Sequence, residues 1–290
     1  MIIDGKKIAD DILSRLTTEA TTLKTYGIIP TLAVIQVGDD PASLAYIRQK
    51  QKAADRIGAK IILSHQPSDI NKIQLKALVD QFNGDPHVHG LIIQRPIPPG
   101  LGDVSTILDS VTPRKDVDGF VNNSLFEVPV AAAVLACIQV AYAHIQALHP
   151  EQKNPFDIWL KTQCAAVIGR GDTAGKPIFT SLSARGCATS VIHSQTADPD
   201  TLVKKMVLVV SCVGKERVVT RQMVTRDTIL IGVGIWRDSD GKLHGDYDEE
   251  EIKDIVAFYT PTPGGVGPVN VACLMQNLVK ACTLQKGGIL

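Results

Sequence analysis

The sequence has no surplus of charge. Its 30 Lys and Arg balance 30 Asp and Glu, a formal net charge of zero. A balanced chain carries no electrostatic footprint for nucleic acid or an anionic membrane, so neither is an expected partner. Paired cysteines are missing too. Cys137, Cys164, Cys187, Cys212, Cys273 and Cys282 stand singly among apolar neighbours. That pattern excludes a disulfide framework and a Cys-x-x-Cys metal site, and fits reduced thiols and a cytoplasmic setting. His87 and His89 are spaced H-x-H, with no further ligand nearby, so no metal is expected. Long apolar runs are absent: the nearest, Val128 to Tyr142, is broken by Gln139 and falls short of a membrane span. At the N-terminus the apolar residues precede Lys6 and Lys7 and no apolar run follows, which is not the order of a signal peptide.

What is there reads as a globular α/β chain. Its 290 residues, 44% hydrophobic and 21% charged, are enough for about two domains. Helix and strand patterns alternate: a helix over 5–26, strands at Thr31–Val37, Lys60–Ser64 and His89–Ile93, and helices at Pro41–Ile57 and Asn71–Phe82. A second alternating set begins at Cys164–Ile168 and continues with strands at Ala188–Ile192, Met206–Ser211, Thr228–Val233 and Ile255–Phe258. Such alternation builds parallel sheets, whose ligands sit at the carboxyl ends of the strands. Residues 121–162 are the least legible; Val130 to Ile145 reads as an apolar helix and His149 to Pro155 as a loop.

Five stretches carry candidate chemistry. In the helix after Pro41, Ser43, Tyr46 and Lys50 share one face. A ring that stacks on a flat substrate beside a lysine that moves protons is one reading; a solvated amphipathic helix is the other. Gln94 directly follows a four-residue apolar strand and is held by the Pro96-Ile-Pro98-Pro99 turn, facing a cleft or merely capping loop backbone. Lys115-Asp116-Val-Asp118-Gly119 places two carboxylates two residues apart, as a ligand-binding turn or as an acidic turn with Asp116 paired to Lys115. Gly169-Arg170-Gly171, with Gly175, is a glycine-rich first turn of the kind that lets backbone amides approach a phosphate. One strand later, NAD enzymes usually place an acidic residue; His193 and Ser194 stand there instead, which together with Arg170 favours a 2′-phosphate and hence NADP over NAD. A last motif, Pro261 to Pro268, is dominated by Pro and Gly and introduces an apolar helix from Val269.

Assembled in order, Ile3-Asp-Gly-Lys-Lys, Ser43/Tyr46/Lys50, Gln94-x-Pro96, Lys115-Asp-Val-Asp-Gly119, Gly169-Arg-Gly and Pro263-Gly-Gly-Val-Gly-Pro268 resemble the bifunctional methylenetetrahydrofolate dehydrogenase/cyclohydrolase family over nearly the whole chain. The resemblance implies two domains with a cleft between them: a folate-binding catalytic domain from 1–125 plus 267–290, and a Rossmann-like NADP-binding domain from 126–266. It implies oxidation of 5,10-methylenetetrahydrofolate, then hydrolysis to 10-formyltetrahydrofolate, in one-carbon metabolism that serves purine biosynthesis. By motif, Lys50 is the general acid/base, Gln94 tunes it, Tyr46 stacks on the folate, Asp118 holds the pterin, Ser43 supports Lys50, and Pro263, Gly264 and Gly265 line the folate cleft. Cofactor contacts fall to Gly169, Arg170, Gly171, Gly175, His193, Ser194, Gly214, Gly234 and Ile235. The family's homodimer pairs through the nucleotide domain. Departures concentrate on the cofactor side. The usual Pro-Cys-Thr-Pro is replaced by Val128-Pro-Val-Ala131, the usual Ser by Gly171 and the usual Asp by Gly232; Arg95 replaces an apolar residue. A cyclohydrolase with weak or lost dehydrogenase activity, or a catalytically silent binding subunit, are the competing expectations.

Overall fold

The computed structural model describes residues 1–285 and Gly287; the end of the expected 267–290 segment lies outside them. In chain order the elements are α1 (Gly5–Thr25), β1 (Thr31–Val37), α2 (Pro41–Ile57), β2 (Lys60–Gln66), α3 (Lys72–Gly84), β3 (Gly90–Ile93) and α4 (Ser105–Leu108). Then come α5 (Pro129–Leu148), α6 (Phe156–Lys161), β4 (Cys164–Ile168), α7 (Gly175–Ala184), β5 (Ala188–Ile192), α8 (Pro199–Lys204) and β6 (Leu208–Ser211). The last are β7 (Ile229–Gly232), β8 (Ile235–Arg237), β9 (Leu243–Gly245), α9 (Glu249–Ile252), β10 (Phe258–Tyr259) and α10 (Val266–Gln285). The chain forms two compact units, Asp10–Pro129 with the segment from Val271, and Met1–Ala9 with Val130–Asn270.

In the first unit a parallel sheet runs β2-β1-β3. Every residue of β1 is buried. Alternate residues Ala33, Ile35 and Val37 join Leu91 and Ile93 of β3 in a core with Leu75, Val79 and Phe82 of α3. The chain order reverses between β1 and β3, so the strand ends there form a switch point where ligands settle. Both Val37 and Ile93 end at that point.

The second unit holds a five-stranded parallel sheet, ordered β10-β7-β6-β4-β5. Its register aligns Ile168 with Ile192 and with Ser211, and Ser211 with Gly232. Four strands therefore end on one level, and the loops that follow them share one edge. The reversal of order falls between β4 and β6. A β8–β9 hairpin and the short helices α6, α8 and α9 fall where the sequence shows no clear period. The expected strand at Ile255–Phe258 is shorter and later: Ile255 and Val256 donate their N–H groups to Ile252 O, closing a turn, and only Phe258 and Tyr259 pair with β7.

Helix α5 corrects one expectation. It has 20 residues, enough on length and composition to cross a membrane. Burial accounts for its apolar character, since Ala133, Val134, Cys137, Ile138 and Ala141 are fully covered. The Tyr142 ring stacks on Trp159 at 4.5 Å, which gives the expected 149–155 loop a fixed end in α6.

Candidate active site

Local rules place α2. Pro41 occupies its first turn, Asp40 accepts a hydrogen bond from Ser43 N at 2.7 Å, and Gly58 closes it in the left-handed region at φ 73°. Its buried residues include Ser43, Ile47, Lys50, Ala54 and Ile57, a stripe with alternating steps of four and three. Lys50 thus belongs to the apolar stripe and not to the solvent face. It is only 8% exposed.

A buried ammonium needs a partner. Lys50 Nζ donates to Gln94 Oε1 at 2.8 Å, while Gln94 Nε2 donates to Arg95 O at 2.9 Å. Gln94 N donates to Ile35 O at 2.8 Å, extending the β1–β3 ladder by one residue and fixing the side chain at the switch point. Ser43 Oγ donates to Arg95 O at 3.3 Å. The peptide bond from Arg95 to Pro96 is cis. Tyr46, four residues before Lys50, is half-buried on the same helix.

Burial pushes the Lys50 ammonium below the usual lysine range, and the Asp118 carboxylate opposes that shift. Asp118 is moved the other way. Desolvation raises its carboxyl, Lys50 pulls it back, Asp116 raises it and Arg95 lowers it. The two carboxylates of the Lys115–Gly119 turn have separate tasks. Asp116 is buried and accepts from Gly119 N at 3.1 Å and Val121 N at 2.9 Å, so it builds the turn. Lys115 does not pair with it; its Nζ donates to Phe82 O and Asp85 O. Asp118 is the carboxylate whose charge acts on Lys50. A cavity of about 30 Å³ beside it is lined by Arg95, Asp116, Asp118, Phe120 and Val121, among others.

The remaining predicted residues lie in the second unit. The Pro263–Gly265 turn packs on the start of α1, where a Cβ on Gly5 would fall 1.8 Å from Gly265 O. Two glycine motifs from opposite ends of the chain are therefore parts of one close backbone contact. Gly169 follows β4, and its N–H donates to Ile192 O at 2.9 Å. Gly175 opens α7 so close beneath the loop that a Cβ would meet Gly169 O at 2.2 Å. No side chain caps α7, and Arg170 and Gly171 are exposed above its first turn. His193 and Ser194 follow β5; the His193 Nδ1 accepts from Gln195 N at 3.2 Å. Gly214 follows β6, and Val233 N and Gly234 N after β7 both donate to Ser211 O. Ile235 is exposed at the start of β8. The strand ends thus bring Gly169, His193, Gly214 and Gly234 to one edge.

The sequence reading passed over the residue that organises this edge. Asp246, fully buried, accepts from Ser211 Oγ at 2.6 Å, Val213 N at 2.8 Å, Gly214 N at 2.7 Å and Lys215 N at 3.0 Å. Its only sequence signal is an ordinary Gly-Asp step after a hairpin. The loop's geometry also explains one departure. Tyr247 Oη donates to Thr260 O at 2.6 Å and lies 2.8 Å from where a Cβ on residue 232 would stand. The ring fills the space beside Gly232, which any side chain there would need.

Two family profiles match this arrangement. Residues 3–118 match the tetrahydrofolate dehydrogenase/cyclohydrolase catalytic domain, and residues 152–286 its NAD(P)-binding domain. The chain belongs to the tetrahydrofolate dehydrogenase/cyclohydrolase family. Among relatives, a bifunctional protein FolD of Wolbachia sp. subsp. Drosophila simulans (strain wRi) is 38% identical over 99% of this chain and 97% of its own length. The crystal structure of the bifunctional FolD enzyme from Campylobacter jejuni superposes with a TM-score of 0.89, at 32% identity over 98% of this chain and 99% of that one. A Trypanosoma brucei member, solved with NADP and an inhibitor, gives 0.88 at 27% identity over 99% and 98%. Family membership makes the chain an enzyme of two α/β domains, one catalytic and one for NAD(P).

Proposed function

We propose that the chain oxidises 5,10-methylenetetrahydrofolate to the 5,10-methenyl form with NADP and hydrolyses that product to 10-formyltetrahydrofolate. The observation that carries the hydrolytic half is the buried Lys50, held by Gln94 at 2.8 Å and facing Asp118. Because burial favours the neutral amine, Lys50 takes a proton from the water that adds to the one-carbon bridge. It then returns that proton to the pterin nitrogen as the carbon–nitrogen bond opens. One water is consumed, and the positive charge of the methenyl bridge leaves as a proton. Gln94 Oε1 holds the amine at its post. Tyr46 stacks on the folate, Asp118 accepts from the pterin, Ser43 fixes the Gln94 shoulder through Arg95 O, and Pro263, Gly264 and Gly265 present backbone to the folate.

The nucleotide edge fits a dinucleotide, since the Gly169–Gly175 loop leaves an uncapped helix start and offers backbone rather than side-chain bulk. Gly169, Arg170, Gly171 and Gly175 would hold the diphosphate. Arg170, His193 and Ser194 would hold a 2′-phosphate, which favours NADP over NAD. Gly214, Gly234 and Ile235 would border the nicotinamide. When bound, that group supplies the hydride acceptor; the protein's task is to hold the two reactants together. The same reading assigns a homodimer through the nucleotide domain, a cytoplasmic location and a place in one-carbon metabolism for purine biosynthesis. Two assays test it: reduction of NADP by methylenetetrahydrofolate, and loss of methenyl absorbance without nucleotide. The absence of both from folded protein refutes it.

A further inference from the structure

We propose that Arg95 is a positioning residue of the folate site, holding the Asp116–Phe120 turn so that the Asp118 carboxylate is set to grip the pterin. This rests on the folate reading above and extends it to a position where the family usually has an apolar residue. Three observations meet at Arg95. Its carbonyl is the shared acceptor of Ser43 Oγ at 3.3 Å and Gln94 Nε2 at 2.9 Å, so its backbone is tied to the residues that serve Lys50. Its guanidinium carbon stands 4.6 Å from the centroid of the Phe120 ring, two residues beyond Asp118. Its side chain shares with Asp116, Asp118 and Phe120 the walls of the cavity of about 30 Å³, room for about two waters.

The side chain thus spans from the end of β3 to the turn that carries the pterin ligand. The charges facing Asp118 are Lys50 from α2, Arg95 from the shoulder and Asp116 from its own turn; Asp109, at the end of α4, lines the same cavity. An apolar side chain at 95 would leave Lys50 alone to balance Asp118 and Asp116. Arginine suits the place because its planar fork stacks on a ring while its charge stays fixed. Asp118, in turn, must be ionised to accept from the pterin, and removing the neighbouring cation lets it take a proton at a higher pH.

The test compares wild type, Arg95→Leu, Arg95→Lys and Phe120→Leu in methenyltetrahydrofolate hydrolysis, with KM and kcat followed against pH. Arg95→Leu is expected to raise KM about tenfold with kcat changed less than about threefold, and to move the acid limb of 1/KM, which follows Asp118 rather than Lys50, up by about half a pH unit. Arg95→Lys keeps the acid limb and loses part of the KM. Phe120→Leu raises KM and leaves the acid limb in place, which separates the stacking role from the charge. Thermal unfolding of each variant identifies any loss of fold, and the lysine variant carries the test if the leucine variant is unstable. A wild type that hydrolyses substrate, with Arg95→Leu unchanged in KM and pH profile, overturns this inference alone. A folded wild type that neither binds nor hydrolyses the folate overturns the reading beneath it as well.

Discussion

In the unit that holds Lys50, the candidate chemistry belongs to side chains: an amine and an amide in contact at 2.8 Å, and a carboxylate whose charge acts on the amine. In the unit that holds Gly169, it belongs mostly to backbone, set on one edge by strand register and by a loop that leaves no room for a Cβ at Gly175. Side-chain chemistry fails when one residue changes. Backbone chemistry survives many replacements, provided the chain path is kept. This difference accounts for where the departures from the family pattern gather. Gly171 is exposed and open to space. Gly232 is matched by the Tyr247 hydroxyl that fills its vacancy. Lys50, Gln94 and Asp118 are the residues on which the resemblance rests.

The largest effect is expected at Lys50. Lys50→Met is expected to lower hydrolysis by about 10²- to 10⁴-fold while folate binding persists, measured by single-turnover absorbance and by titration. Stability is tied to the same proton. Lys50 holds its proton less tightly when folded, so the unfolded chain binds more protons between the lowered folded value and the ordinary value near 10.4. Wild-type stability therefore rises with pH across that window and falls as pH drops through it; in Lys50→Met that part of the slope should vanish. Hydrolysis should fall as pH drops through the lowered Lys50 value, because the base must be neutral.

Next in size is Gly175→Val. Its side chain runs into Gly169 O, and KM for NADP should rise about tenfold or more with nucleotide-free hydrolysis within about twofold of wild type. Gly232→Ala should cost about 1–3 kcal/mol in denaturant unfolding, by overpacking against Tyr247; part of that loss should return in the Gly232→Ala, Tyr247→Phe pair. Smallest is Gly171→Ser, which adds a hydroxyl in open solvent and should change KM for NADP by less than about threefold. A tenfold gain there would mean that this nucleotide edge also depends on side chains.

The sequence revealed these halves unequally, for physical reasons. Helix α2 was legible to its ends because Pro41, Asp40 and Gly58 are local signals. Strands β1 and β4 were legible because buried parallel strands are continuous apolar runs. The β8–β9 hairpin was not, since its strands have three residues each and their pairing is set by tertiary contact. Lys50, Gln94 and Asp118 could be found by residue type and motif, although the division of labour between Asp116 and Asp118 needed the hydrogen bonds. Asp246 could not be found: its four donors come from residues 31 to 35 positions away and lie beyond any local pattern.

If side-chain catalysis and backbone cofactor binding both operate in this chain, one spectroscopic experiment on purified protein shows it. Methylenetetrahydrofolate is supplied with NADP, and separately with NAD, beside hydrolysis of methenyltetrahydrofolate without nucleotide. Reduction of NADP in preference to NAD, together with hydrolysis, is the expected result. Hydrolysis without reduction of either nucleotide would contradict it, and would mean that the changes at 128–131, 171 and 232 had cost the second unit its cofactor.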